Sequence, residues 1–170
     1  MALDIGYWLQ PALDQPHTYG LFFLLGSFTV ASLSDIRRMS AQSEFLHVWV
    51  LAFLALFVID VYGLREGPLD RFIAKWALTA FFGLLSFRGV GLLFKLEWGD
   101  VAAIISVCGL LSPLMVILFF LILKVIDFFM QPVLQTFGNR GAYPFMPVVT
   151  ISTLVAIPVA TYLQSLLLVF

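Results

Sequence analysis

The chain has 170 residues, of which 62% are hydrophobic and only 11% are charged. A soluble domain is about half apolar and about a quarter charged. The composition, with a mean hydropathy of +1.04, therefore excludes an ordinary soluble domain and predicts a protein embedded in a lipid bilayer. A net charge of -1 provides no basic surface for nucleic acid, and the single cysteine, Cys108, excludes an internal disulfide.

Apolar segments follow one another along the whole chain, and a membrane-spanning helix needs about 20 such residues. The segments predicted to be helices are 17–34, 45–63, 72–94, 101–111 and 114–130, and a last helix follows residues 143–147 and runs to the C-terminus. Ser112-Pro113 separates the fourth from the fifth, because proline interrupts a helix interior. We therefore expect an all-α, multi-pass protein of the plasma membrane, with about six transmembrane helices in one domain over residues 1–170.

The N-terminus and the distribution of Lys and Arg predict how the chain is inserted. The first twenty residues lack a basic region followed by an apolar core, so no cleavable signal peptide is expected. With six spans, the loops at 35–44, 88–99 and 131–143 share one face and carry five basic residues, against two on the other face. The positive-inside rule then places these three loops in the cytoplasm and both termini outside.

Two aspartates lie at helix ends on the predicted cytoplasmic face. Asp35 ends the first helix and Asp100 begins the fourth. Charged groups at membrane depth are costly, so each is a candidate for function. Two nearby carboxylates push their pKa values apart, and such a pair can act as general base and general acid on an amide. Alternatively both are helix-end residues, with Asp35 beside Arg37 and Asp100 as an N-cap.

Three short motifs carry a resemblance to a known family. Residues 34–38 (SDIRR) resemble the first active-site motif of the type IV prepilin peptidases, a family that includes the archaeal preflagellin peptidases. Residues 98–104 (WGDVAAI) resemble the second motif, GxGD followed by a short apolar helix, with Glu97 in place of the first glycine. Residues 143–147 (YPFMP) are similar to the Pro-Phe-x-Pro entry to the last helix of that family.

The resemblance implies an aspartic endopeptidase with Asp35 and Asp100 as its catalytic residues. It would remove the basic leader of prepilin-like or preflagellin-like membrane substrates at the cytoplasmic face, without a cofactor. Glu44 and Glu97 are expected to attract the leader, and Gly99 to let the substrate backbone approach. The cysteine-rich extension of the bacterial enzymes is missing, so a peptidase core without methyltransferase activity is expected.

Two other functions remain open. The chain could be a non-catalytic relative that serves as an assembly subunit. It could instead be a small transporter in which Lys124 and Asp127, three residues apart on the fifth helix, are the intramembrane charges. The simpler interpretation of these two residues is a local ion pair.

The remaining polar residues predict no further site. His17 and His47 have no metal-ligand spacing, so no metal is expected. Asp60 and Lys75 lie near helix ends, where long side chains can reach the membrane surface.

Overall fold

The computed structural model describes residues 8, 15–38, 43–63, 68–137 and 143–167. Within these ranges the chain forms six α-helices joined by loops. They are α1 (Gln15–Arg38), α2 (Ser43–Gly63), α3 (Leu69–Ser86), α4 (Trp98–Cys108), α5 (Pro113–Leu134) and α6 (Met146–Leu167), and a 3-10 turn at Gln135–Phe137 follows α5. The described part has no strand apart from one isolated bridge, so the all-α prediction is confirmed.

Within the described part of the chain, three helices are long and apolar enough to cross a membrane. They cover Pro16–Arg37, Phe45–Gly63 and Pro113–Phe137, with mean hydropathies of 1.4, 2.2 and 2.4. The helix α4 is shorter, and α6 is apolar over Met146–Ala160, the stretch whose side chains are described without interruption. The helices are therefore compatible with a membrane protein, and six crossings remain a prediction.

The short helix α4 lies at the centre of the bundle. It packs against α1, α2, α3 and α6, and every residue from Val101 to Cys108 except Ile105 is buried. Its 11 residues extend about 16 Å at 1.5 Å per residue, roughly half of the hydrocarbon thickness of a bilayer. The hydroxyl of Ser106 donates to the carbonyl of Trp49 on α2 at 2.8 Å. α4 is therefore an internal element around which α1, α2, α3 and α6 pack.

The third helix is shorter than predicted, and an ordered loop takes its place. The prediction extended it to residue 94, whereas α3 ends at Ser86. The loop that follows, residues 87–97, is closed by a parallel bridge between Phe87 and Leu96 and turns at Gly91, where φ is +59°. Its Phe94 is only 7% exposed. Phe94 and Leu96 are therefore buried without being helical. Hydropathy extended the helix into the loop because its residues are as apolar as helical ones.

A network of polar side chains joins the start of α1 to the end of α2 and the first half of α3. Asp60 lies 3.2 Å from the Nε2 of His17 and accepts hydrogen bonds from the Lys75 ammonium at 2.6 Å and the Trp76 indole at 3.0 Å. Lys75 is only 5% exposed, so the expectation that it reaches the membrane surface is wrong. On α1, His17 and Asp35 are eighteen residues apart, which is about 27 Å along the helix axis. This network therefore lies at the opposite end of the bundle from Asp35.

Candidate functional site

Asp35 lies in the last turn of α1 and contacts the N-terminus of α6. Its carboxylate is 6% exposed and accepts the backbone N–H of Met146 at 3.1 Å, with a further backbone hydrogen bond from Phe145. Met146 is the first residue of α6, and the first N–H groups of a helix have no acceptor within it. These donors and the helix dipole partly offset the cost of burying a negative charge on Asp35.

The segment that leads into α6 is shaped by its prolines. Pro144 fixes an extended entry, and Pro147 occupies the second position of α6, where a missing N–H costs nothing. Phe145 is 4% exposed and its ring packs edge-to-face against Phe94 at 5.6 Å. The YPFMP motif is therefore in contact with Asp35, an arrangement that its position in the sequence does not specify.

Asp100 is the third residue of α4, which is too short to cross a membrane, and its side chain is partly buried. Its pKa is raised to about 7, chiefly by burial, then by the negative charges of Asp35 and Glu97, while a hydrogen bond from the backbone N–H of Glu97 lowers it. The two aspartates are 65 residues apart in the sequence, yet the fold places them within electrostatic range of each other. The charge of one of the two residues that the sequence singled out therefore acts on the other.

The alternative prediction, that Asp100 is the N-cap of its helix, is wrong. The N-cap of α4 is Glu97, whose side chain makes no capping hydrogen bond, and Asp100 lies inside the first turn. From that third helical position a carboxylate can reach back to the N–H of the N-cap residue. Asp100 therefore acts on its own helix start only through the backbone of Glu97.

The residues predicted to bind the substrate, Glu97, Gly99 and Glu44, differ in how the structure places them. Glu97 is exposed at the surface and forms an ion pair with Arg88 at 2.8 Å, with side chains 72% and 71% exposed. Gly99 is the second residue of α4, directly before Asp100, and is partly exposed. Glu44 lies in the first turn of α2, and its side chain is outside the described part of the structure. The structure therefore brings Glu97 and Gly99 to the carboxylate pair and gives no contact for Glu44.

Lys124 and Asp127 form the expected local pair, with Nζ and Oδ2 3.8 Å apart. Each also contacts a loop next to the carboxylates. Lys124 donates to the carbonyl of Leu93 at 3.2 Å, and its ammonium lies 4.6 Å from the centre of the Phe94 ring. Asp127 is 5% exposed and accepts a hydrogen bond from the hydroxyl of Tyr143. These contacts show that the pair holds the loops in place. A transporter would not require such contacts.

Tyr143 is the residue at this site that sequence reasoning missed. Burial, then the hydrogen bond and charge of Asp127, and then the charge of Asp100 raise its pKa above the usual value for tyrosine. Tyr143 therefore stays protonated and remains a donor at neutral pH. The only signal in the sequence was its place before Pro144, and nothing there related it to a carboxylate sixteen residues earlier.

This arrangement suits acid-base chemistry on a bound amide. The Asp35 carboxyl group accepts N–H donors at the start of α6, and the pKa of Asp100 is raised to about 7. Among the residues that the structure describes, no three His, Cys, Asp or Glu side chains are grouped so as to hold a metal ion. Comparisons with protein-family models, with curated proteins and with solved structures give no match to this chain.

Proposed function

We propose that this protein is a membrane aspartic endopeptidase in which Asp35 and Asp100 are the catalytic pair. The observation that carries the proposal is the coupling of the two carboxylates, since burial and then the charge of Asp35 raise the pKa of Asp100 to about 7. A carboxyl group that is normally ionised at this pH is then available as an acid. Its neighbour remains available as a base.

The two carboxylates have different roles in this mechanism. Asp35, ionised against the N-terminus of α6, takes a proton from the attacking water as its oxygen bonds to the scissile carbonyl carbon. Asp100 gives its proton to the carbonyl oxygen, which yields a neutral tetrahedral diol. The C–N bond then breaks as Asp35 returns its proton to the leaving nitrogen and Asp100 recovers one from the diol. Water and the two carboxyl groups balance this reaction, and each transfer is ordinary general acid-base catalysis.

The substrate class comes from the resemblance of the three motifs to the prepilin and preflagellin peptidases. Such substrates carry a basic leader followed by an apolar helix. An enzyme embedded in the plasma membrane by up to six helices can meet that helix laterally and cut its leader at the cytoplasmic face. Glu97 would attract the leader by exchanging Arg88 for a basic residue of the substrate. This attraction is weak and salt-dependent because both side chains are exposed.

The test is co-expression with prepilin-like proteins from the same genome, scored by leader removal. We expect Asp35→Asn and Asp100→Asn each to abolish cleavage while helix content, measured by circular dichroism, is unchanged. Asp70→Asn is the matched control, because Asp70 is exposed in the first turn of α3 and outside the proposed site. It should cleave like the wild type.

Two outcomes would contradict the proposal. Normal cleavage by either Asp35→Asn or Asp100→Asn would remove that residue from the mechanism. A folded wild-type protein that cleaves none of these substrates would favour the non-catalytic assembly subunit.

A further inference from the structure

A short segment of the chain joins two buried carboxylates on different helices. At one end of residues 143–146, the hydroxyl of Tyr143 donates to Asp127 on α5. At the other end, the N–H of Met146 donates to Asp35 on α1 at 3.1 Å. Asp127 and Asp35 are 5% and 6% exposed. The segment therefore crosses from α5 to α1 with a hydrogen bond to a buried carboxylate at each end.

The residues between these two hydrogen bonds leave little room for independent movement. Pro144 is buried and has a fixed φ. Phe145 is buried against Phe94, and the Phe94 ring lies beneath the ammonium of Lys124. We therefore expect a displacement of Tyr143 to be passed on largely to Met146, since both intervening residues are buried.

Asp127 is suited to anchoring this segment. A carboxylate that is almost fully buried is costly unless it is hydrogen-bonded or paired. Asp127 obtains a hydroxyl donor from Tyr143 and an ammonium, one helical turn away, from Lys124. The hydrogen bond thus provides the buried carboxyl group of α5 with a donor and at the same time fixes the segment that enters α6.

We propose that Asp127 and Tyr143 form a positioning clamp that holds the N-terminus of α6 against the carboxylate of Asp35. Both are positioning residues, because they act on the site through the 143–146 segment. The clamp's effect on cleavage rests on the proposed function of Asp35 as the base. Its effect on the contact between Met146 and Asp35 can be measured without any substrate.

Hydrogen exchange at the segment measures this contact directly. Between residues 144 and 147 only Phe145 and Met146 carry amide hydrogens, because the other two residues are prolines. Neither amide has an acceptor within α6, so their protection reports the hydrogen bonds to Asp35. In Tyr143→Phe and Asp127→Leu we expect these two amides to exchange about tenfold faster than in the wild type. Asp127→Asn, which keeps an oxygen acceptor, should restore most of the protection.

The matched control is Tyr19→Phe, because Tyr19 lies on α1 with 71% of its surface exposed. It should exchange and cleave like the wild type. For cleavage by Tyr143→Phe we expect a fall in kcat of about 10- to 100-fold with little change in KM, since misplacing a catalytic group affects the reaction step. Asp127→Asn should recover much of the lost kcat.

The outcomes separate the clamp from the proposed function. Unchanged exchange at Phe145 and Met146 in both Tyr143→Phe and Asp127→Leu would overturn the clamp. Normal kcat in Tyr143→Phe, together with loss of cleavage in Asp35→Asn, would overturn its role in positioning while the peptidase stands. If Asp35→Asn cleaves normally, the proposed function fails, and the exchange measurement alone decides whether the clamp exists.

Discussion

At the scale of single residues, Asp100 is subject to two opposing influences. Its place in the first turn of α4 exposes it to the positive end of the helix dipole, which favours a carboxylate by about 0.3–1 kcal/mol. Burial and the charges of Asp35 and Glu97 oppose this and prevail, because its pKa is raised to about 7. The sequence predicted a pair with separated pKa values, and in the proposed mechanism the N–H donors of α6 make Asp35 the ionised member of the pair.

The first prediction concerns pH and the ion pair at the surface. Cleavage needs a protonated Asp100, so kcat/KM should fall as the pH rises through about 7. Glu97→Gln removes a negative charge and should lower the pKa of Asp100, which moves this alkaline limb to lower pH. Arg88→Met leaves Glu97 without its partner and should move the limb to higher pH. Both shifts should be less than about one pH unit, because exposed charges interact by about 1 kcal/mol.

The measurement is the pH profile of kcat/KM for the wild type and these two variants, with Asp70→Asn as the control. Shifts of the two variants in the same direction would contradict the electrostatic account. So would an alkaline limb that is missing between pH 6 and pH 8, the range about one unit on either side of the stated pKa.

At the scale of elements, the close packing of α3 on α4 supports the position of Asp100. A Cβ at Gly83 would meet the Cγ2 of Ile105 at 3.0 Å, whereas a Cβ at Gly26 on α1 would meet nothing within 4 Å. The glycine on α3 therefore permits an approach that a larger residue would prevent.

The second prediction follows from this contact. Gly83→Val should destabilise the protein by about 1–3 kcal/mol through overpacking, a fall of roughly 2–12 °C in Tm for a chain of this size. Gly26→Val makes the same change of residue in a helix and should leave Tm nearly unchanged. Thermal unfolding in detergent measures both. An equal loss in the two variants would show that the contact has no special effect.

The helices were largely predictable from sequence, and the loops that complete the site were not. Apolar runs and the prolines at 113 and 144 gave six helices in the correct order. The third helix was extended into residues 87–94 because buried loop residues such as Phe94 are as apolar as helical ones. The contact of Asp127 with Tyr143 could not be predicted, because it joins a helix to a loop whose path depends on the packing of α6.

At the scale of the whole molecule, the two ends of the bundle carry different polar groups. One end has Asp35, Asp100 and the loop at 87–97, and the other has the buried network of His17, Asp60 and Lys75. The sequence could assign both aspartates to one end of the bundle, because successive helices run in alternating directions and their order alone places Asp35 and Asp100 on the same face. It could not reveal the opposite network, since that network depends on which helices are neighbours.

The third prediction concerns orientation. In a Cys108→Ala background, Leu92→Cys in the loop at 87–97 and Leu69→Cys at the start of α3 replace two exposed leucines, 74% and 60% exposed. The positive-inside rule places residue 92 in the cytoplasm and residue 69 outside. An impermeant thiol reagent added to intact cells should therefore label only the cysteine at 69. Labelling of the cysteine at 92 alone would reverse the topology.

The central claim is that Asp35 and Asp100 form one site with coupled protonation, and infrared spectroscopy tests it without a substrate. The carboxyl stretching band that is lost in Asp100→Asn reports the protonation of Asp100 as the pH is varied. In the wild type this band should titrate near pH 7. In Asp35→Asn it should titrate at a clearly lower pH, because a nearby negative charge has been removed. An Asp100 titration that is identical in the wild type and Asp35→Asn would contradict the claim.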